Sequence, residues 1–329
     1  MATSINKERI LLGGRMWRIF DGSGGSGGDD KASALLDGIN DYLQRPTWTP
    51  GASLNTGTVS GNDSGTESFS VSAWVKPGWS EGEKGSQTII SWGSGDLFDT
   101  NLFRLYFTNG NSDYNKIVAQ IATNDGSTMN ETKAFWSLHD TSTTDYLGDT
   151  IVPNSTATGL NAANTWSTAY KGNCTPLGFV NLVMVFTHTK SNDSGVNLAF
   201  DLYWNGLKLL GSNDANFSMT GGPSLSSSVD YRLRIGALWY QATQTLTGNI
   251  DEVGIWDKAL SAAEIAEIWG GTVSAGETDG VASKLTVTPA SAVSDLEGAW
   301  NMDNTWNDQS TNAQHLDNEG PTFDTVNYA

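Results

Sequence analysis

The stretch LTGNIDEVGIWDKALSAAEIAEIW, Leu246 to Trp269, runs a half-buried strand directly into a short capped helix. Period-2 alternation places Ile250, Glu252, Gly254 and Trp256 on one side of the strand and Asp251, Val253, Ile255 and Asp257 on the other. The helix opens on a capping box, with Ser261 as N-cap and Glu264 three residues on. Leu260 and Ile265 stand at the two positions of a hydrophobic staple. Gly270 and Gly271 stop it. The spacing predicts one short helix near residues 261–269.

Strand signals surround this stretch. In SFSVSAWVKP, Ser68 to Pro77, the residues Phe69, Val71, Ala73 and Val75 form an apolar face, Ser70, Ser72, Trp74 and Lys76 form the other, and Pro77 ends the run. Leu102 to Thr108 and Ile117 to Thr123 read as strands joined by the turn-rich NGNSDYN. Val180 to Phe186 is apolar on both alternations and predicts a central strand. Val196 to Trp204 and Leu207 to Leu210 flank Asn205-Gly206, a strong hairpin signal. Tyr231, Leu233 and Ile235 give another inward face, with Arg232 and Arg234 outward.

Four of these pieces carry a family resemblance. GNIDEVGIWDKALSAAEI, Gly248 to Ile265, resembles the closing strand and helix of the laminin-G-like (pentraxin-like) concanavalin A-type jelly-roll family. ALLDGINDYL, Ala34 to Leu43, resembles that family's F-D-G-x-D-D-Y opening, SFSVSAWVKP its second core strand, and Val196 to Leu210 its L-Y-x-N-G hairpin. The resemblance implies an all-β, antiparallel jelly-roll β-sandwich, expected as a single domain over residues 31–329. Leu296 to Leu316, LEGAWNMDNTWNDQSTNAQHL, resembles a strand pair that commonly precedes the D-G-x-D-D-Y element in this family, yet here it comes last. We read residues 291–329 as closing strands of a permuted domain after a polar connector at 271–290. The alternative, a second repeat cut short, leaves too few strands to bury a core. The resemblance also implies a structural calcium ion held by Asp37, Gly38, Asp41 and Asp251, with Asp303 and Asp308 as secondary candidates. The competing reading makes these residues turn formers that bond their own backbone.

Residues 1–30 differ from the rest. Lys7, Arg9, Arg15 and Arg18 against Glu8 give the first twenty residues +3 in a chain whose net charge is −18, which leaves −21 for the remainder. Ile10, Leu11, Leu12, Trp17 and Phe20 make the segment apolar as well. GSGGSGG, Gly22 to Gly28, is a flexible tether. Its formal match to a G-x-S-x-G nucleophile elbow lacks the strand before and helix after that such an elbow needs. We expect an arm that anchors an assembly through Arg9, Arg15, Trp17, Arg18 and Phe20; the alternative is an edge strand of the sandwich.

Residues 129–176 form a long insert rich in Thr, Asn and Ser and interleaved with aromatics. Trp136, Tyr146, Trp166 and Tyr170 are its candidate ligand or partner surface, against the plainer reading that they cap one end of the sandwich.

Composition excludes several classes. Asp and Glu outnumber Lys and Arg by 36 to 18, a field that repels phosphate backbones, so nucleic acid is not an expected partner. Cys174 is the only cysteine, so no intrachain disulfide can form. No run approaches the roughly 20 apolar residues of a membrane span, and the opening residues lack a signal-peptide h-region, so membrane insertion is not expected and a cytoplasmic origin is. Retaining or inverting glycosidases need two carboxylates on one face. The adjacent Asp251 and Glu252 are expected on opposite faces of their strand. His139, His188 and His315 lack neighbours at zinc-ligand spacing. Together these readings lead us to expect a non-enzymatic virion surface protein, assembled in a host cytoplasm. It would be a phage capsid-decoration, fibre or tail-associated protein that contacts other virion proteins through its arm, binds polysaccharide, and can form homo-oligomers. A free, extracellular bacterial lectin or adhesion module is the alternative, and a glycosidase the third.

Overall fold

The computed structural model divides the chain into two compact units, Met1–Asp30 and Lys31–Ala329. The residues described are 9–12, 15–18, 32–48, 66–78, 85–93, 102–109, 115–124, 129–137, 180–191, 195–204, 206–208, 212–213, 231–238, 244–269 and most of 294–325. In the first unit β1 (Arg9–Leu12) and β2 (Arg15–Arg18) pair antiparallel, Arg9 opposite Arg18 and Leu12 opposite Arg15.

The second unit is a sandwich of two antiparallel sheets. Its strands in chain order are β3 (Ala32–Asp37), β4 (Tyr42–Trp48), β5 (Thr66–Pro77), β6 (Gly85–Gly93), β7 (Leu102–Asn109), β8 (Asn115–Asn124) and β9 (Met129–Ser137). They continue with β10 (Val180–Ser191), β11 (Gly195–Trp204), β12 (Leu207–Lys208), β13 (Ser212–Asn213), β14 (Tyr231–Ile235) and β15 (Thr247–Trp256). After α1 (Ala262–Trp269) come β16 (Leu296–Trp300), β17 (Asp317–Glu319) and β18 (Thr322–Thr325). The first sheet runs β12-β11-β10-β5-β15-β3-β18, with β16 also on β15. The second runs β13-β9-β8-β7-β6-β14-β4-β17.

The inward faces are those the alternation predicts. Phe69, Val71, Ala73 and Val75 of β5 and Leu182, Met184 and Phe186 of β10 meet Trp92, Phe103 and Leu105 across the sandwich in one buried cluster. Phe69 centres an aromatic group, 5.3 Å from Trp92, 5.2 Å from Phe103 and 4.9 Å from Phe186, at the spacings aromatic pairs favour.

β15 departs from simple alternation. Ile250 pairs with Val75 and Asp251 with Trp74, but Gly254 pairs with Ser72, so two residues of β15 oppose Ala73 alone. The extra residue is Glu252, at φ 46. This bulge resets the pattern so that Ile250, Val253 and Ile255 all enter the core, while Trp256 turns to the outer face. It also falls where β15 changes neighbours: Thr247 to Ile250 pair with β3, and Val253 to Trp256 pair with β16.

The C-terminal strands complete both sheets. β17 pairs with β4, and β18 pairs with β3. Each of the successive pairs β3–β4 and β17–β18 therefore crosses from one sheet to the other at a corner. The corners touch: a Cβ on Gly320, at φ 111, would collide with the Asp41 carboxylate. Only glycine suits both that space and that backbone.

Outside the first sheet lies a second apolar cluster. Val183, Val185, Trp256, Leu296 and Ala299 on the sheet pack against Leu260, Ile265 and Ile268 of α1 and its approach. The capping box forms as predicted: the Ser261 N–H donates to Glu264 Oε2 at 2.7 Å, and the Glu264 N–H donates to Ser261 Oγ at 3.3 Å. Lys258 Nζ holds Glu264 Oε1 at 2.8 Å. Ser70, the outward residue of β5 beneath this turn, donates to the Lys258 carbonyl and accepts from the Leu260 N–H, which ties the helix to the sheet.

Candidate functional site on the second sheet

The register of the second sheet aligns a row of polar side chains on its outer face. Gln44 pairs with Arg234, Arg234 with Ser91, Ser91 with Arg104, and Arg104 with Gln120, crossing β4, β14, β6, β7 and β8. At ~4.8 Å per strand the row spans about 19 Å. Its neighbours Leu43, Leu233, Trp92 and Phe103 point inward to the core, so the row faces away from it.

Two arginines in this row are buried, Arg104 at 7% and Arg234 at 6% exposed. Each lies over a tyrosine: the Arg104 guanidinium is 3.8 Å from the Tyr106 ring centre and that of Arg234 is 4.2 Å from Tyr42. These are cation–π distances. Arg104 Nε donates to Thr88 Oγ1 at 3.0 Å, and Ser91 Oγ donates to the Ala237 carbonyl at 2.8 Å.

Arg234 is held differently. Its Nη1 donates to the Leu238 carbonyl at 2.9 Å, while Nε is buried without a hydrogen-bond partner among the described residues. No described carboxylate comes within ion-pair distance of it; the nearby Glu319 instead accepts from Gln44 Nε2 at 2.9 Å. Burial pushes the Arg234 guanidinium below its usual range, opposed by Tyr42 and by Glu319 and reinforced by Arg232. A buried, unpaired cation is costly in a folded chain.

The residues singled out from sequence are dispersed. In the corner between β3 and β4, Asp37 Oδ1 accepts from the Ile39 and Asn40 N–H groups, and Asp41 Oδ2 accepts from the Asp37 N–H. The Gly38 carbonyl accepts from Thr245 Oγ1. Asp251 is not with them: Thr247 pairs with Asp37, and Asp251 lies four residues further on, about 13 Å along the strand. It is fully buried, and its Oδ1 accepts from the Glu252 N–H at 2.8 Å. The set Asp37, Gly38, Asp41 and Asp251 therefore does not converge on an ion. Among the described residues no cluster of three or more His, Cys, Asp and Glu could hold a metal.

Asp308 has a structural employment. Its Oδ1 accepts from the Ala299 and Ser310 N–H groups, and Oδ2 from Ser310 Oγ and the Gln314 N–H. Asn312 Nδ2 reaches the Leu296 and Glu297 carbonyls. The D-x-S-x-N motif thus staples its loop onto β16. Asp303 lies outside the described residues.

Trp136 corrects the reading of the insert. Residues 129–137 are β9, and Trp136, opposite Ile117, is 1% exposed in the core rather than on a ligand surface. Tyr146, Trp166 and Tyr170 lie outside the described residues. Of the arm, Arg9, Arg15, Trp17 and Arg18 are strand residues of β1 and β2, and Phe20 lies outside the described residues. Arg234 went unrecognised as a site residue in the sequence. The alternation of YRLRI sends it outward, but its burial and its alignment with Arg104 depend on pairing among strands far apart in the chain.

Two antiparallel sheets with a helix on one outer face define a concanavalin A-type jelly roll. Residues 154–266 match a laminin-G family model described as "Concanavalin A-like lectin/glucanases superfamily". No curated protein matches the sequence. Among solved structures, the chain is similar to a protein of Bacteroides ovatus described as a candidate carbohydrate-binding protein. That match has 13% identity and a TM-score of 0.42, covering 90% of this chain and 60% of that one. It is similar to the CBM40 of Ruminococcus gnavus IT-sialidase bound to α2,6 sialyllactose, at 18% identity and TM-score 0.38, over 74% of this chain and 100% of that one. It is also similar to tailspike protein 2 of bacteriophage CBA120, at 10% identity and TM-score 0.40, over 83% of this chain and 33% of that one.

Proposed function

We propose that the chain is a non-enzymatic glycan-binding protein displayed on a virus particle. The lectin-type jelly roll supports glycan binding, and the polar row on the second sheet is the surface on which we place it. Catalysis by paired acids finds no support in Asp251 and Glu252, which are 0% and 3% exposed and held within the sheet. The observation that carries the display role is the first thirty residues. They form a compact unit of their own, in which the apolar residues 1–20 carry +3 and a Gly/Ser stretch separates them from an acidic sandwich. Such a segment has both the charge complementarity and the freedom to engage an acidic or apolar groove of another protein of the particle.

Deleting Met1 to Phe20 tests this reading. We expect the truncated protein to melt as the full chain does but to be missing from purified particles, on which the full chain is found at fixed copy number by quantitative mass spectrometry. A loss of several kcal/mol of stability would instead make the segment part of the sandwich. A full chain that is active alone and never particle-bound would favour a free lectin.

A further inference from the structure

We propose that the second sheet binds a carboxylate-bearing saccharide, with the acid group seated on Arg234. This rests on the glycan-binding reading and names the class of sugar. A guanidinium presents its donors along edges, and the Nε–Nη2 edge grips a carboxylate through two parallel hydrogen bonds. In Arg234 the opposite nitrogen, Nη1, is committed to the Leu238 carbonyl at 2.9 Å. The edge that remains contains Nε, which has no partner among the described residues although the side chain is only 6% exposed. The charge on this edge lacks a carboxylate at ion-pair distance among the described residues, and Glu319, whose charge it feels, is engaged by Gln44 at 2.9 Å.

The surroundings suit a sugar acid better than an inorganic anion. Tyr42 supports the guanidinium from below, 4.2 Å from its centre, and is itself part-exposed, offering ring surface to sugar C–H groups. Along the same row Ser91, Arg104 and Gln120 continue the polar track from β6 to β8. The body's net negative charge works against an anion only at long range, because salt screens it beyond about 8 Å at physiological ionic strength.

The test is calorimetric titration of the full chain with matched pairs: oligogalacturonate and its methyl ester, oligomannuronate and its methyl ester, sialyllactose and lactose. At least one acidic member should bind ten-fold or more tightly than its neutral counterpart. Arg234→Met should abolish that preference, and Arg234→Lys, which keeps the charge but not the planar fork, should weaken binding by ten-fold or more. The melting temperature of Arg234→Met should be no lower than that of the wild type, which a merely structural arginine would not allow. Equal binding of acid and neutral forms overturns the carboxylate inference and leaves glycan binding standing. Binding to neither overturns both. Wild-type acid binding by Arg234→Met overturns the role of this residue.

Discussion

The two outer faces of the sandwich are built on opposite principles. On the first sheet, Val183, Val185 and Trp256 are covered by Leu260, Ile265 and Ile268. The polar residue beneath the helix turn, Ser70, is neutral and fully engaged. Each fully buried side chain of that kind contributes roughly 1.5–3 kcal/mol, so the face stabilises itself. On the second sheet the corresponding outward residues are Gln44, Arg234, Ser91, Arg104 and Gln120, and two of them are cations at 6% and 7% exposure. One of them, Arg234, has no carboxylate at ion-pair distance among the described residues, and burying a guanidinium without a counter-charge costs stability. The first face serves the fold, and the second retains a group that costs the fold stability.

The sharpest way to break this contrast is to charge the first face. Ile265→Asp places a carboxylate where a fully buried aliphatic chain fills the contact between helix and sheet, and should lower stability by about 3 kcal/mol or more. Chemical denaturation would measure it, and wild-type stability would show α1 to be peripheral. Gly320→Ala, at the corner shared by both sheets, should cost about 1–3 kcal/mol through its positive φ and the collision with Asp41. On the second face, Arg234→Met should change stability by no more than about 1 kcal/mol or raise it, because an apolar isostere replaces an unpaired cation.

What the sequence disclosed follows the same division. The apolar faces of β5 and β10, the Asn205-Gly206 hairpin and the capping box at Ser261 were readable because each depends on residues near one another in the chain. The phase of β15 was not: alternation put Val253 opposite in face to Ile250, and the bulge at Glu252 put both in the core. Nothing local marks a glutamate for φ 46. Trp136 read as a loop aromatic because the polar MNETK before it hid a strand whose apolar partners lie on β8. Arg234 meets Ser91 and Gln44, residues more than 140 positions away, and only that pairing reveals the row.

A smaller effect concerns the corner between β3 and β4. A calcium ion held there by Asp37 and Asp41 alone would stabilise the native state by mass action. Because those carboxylates already accept from the backbone of their own turn, we expect a chelator to leave the melting temperature unchanged. A fall on chelation, with metal found by elemental analysis, would assign an ion to the corner.

The smallest expected effect separates the faces by what each can do about burial. Tyr203 packs at the margin of the apolar cluster on the first sheet, and desolvation raises its phenol pKa. Lys208 opposes that rise, and Asp201 adds to it. A phenol whose folded pKa is raised stays neutral in the native state when the unfolded chain has begun to ionise. Its contribution to stability is complete below the unfolded value of 10.0 and is lost as pH climbs through the folded one. The wild type should therefore lose stability above that pH more steeply than Tyr203→Phe, and the two curves should run parallel below it. Absorbance titration of the two proteins would locate the difference in that one ring. Arg234, under the same kind of desolvation, has no accessible neutral form, so its burial leaves no corresponding step in the pH profile. A second-sheet variant that altered the alkaline limb as Tyr203→Phe does would erase the distinction between a face that relieves its burial by remaining neutral and one that cannot.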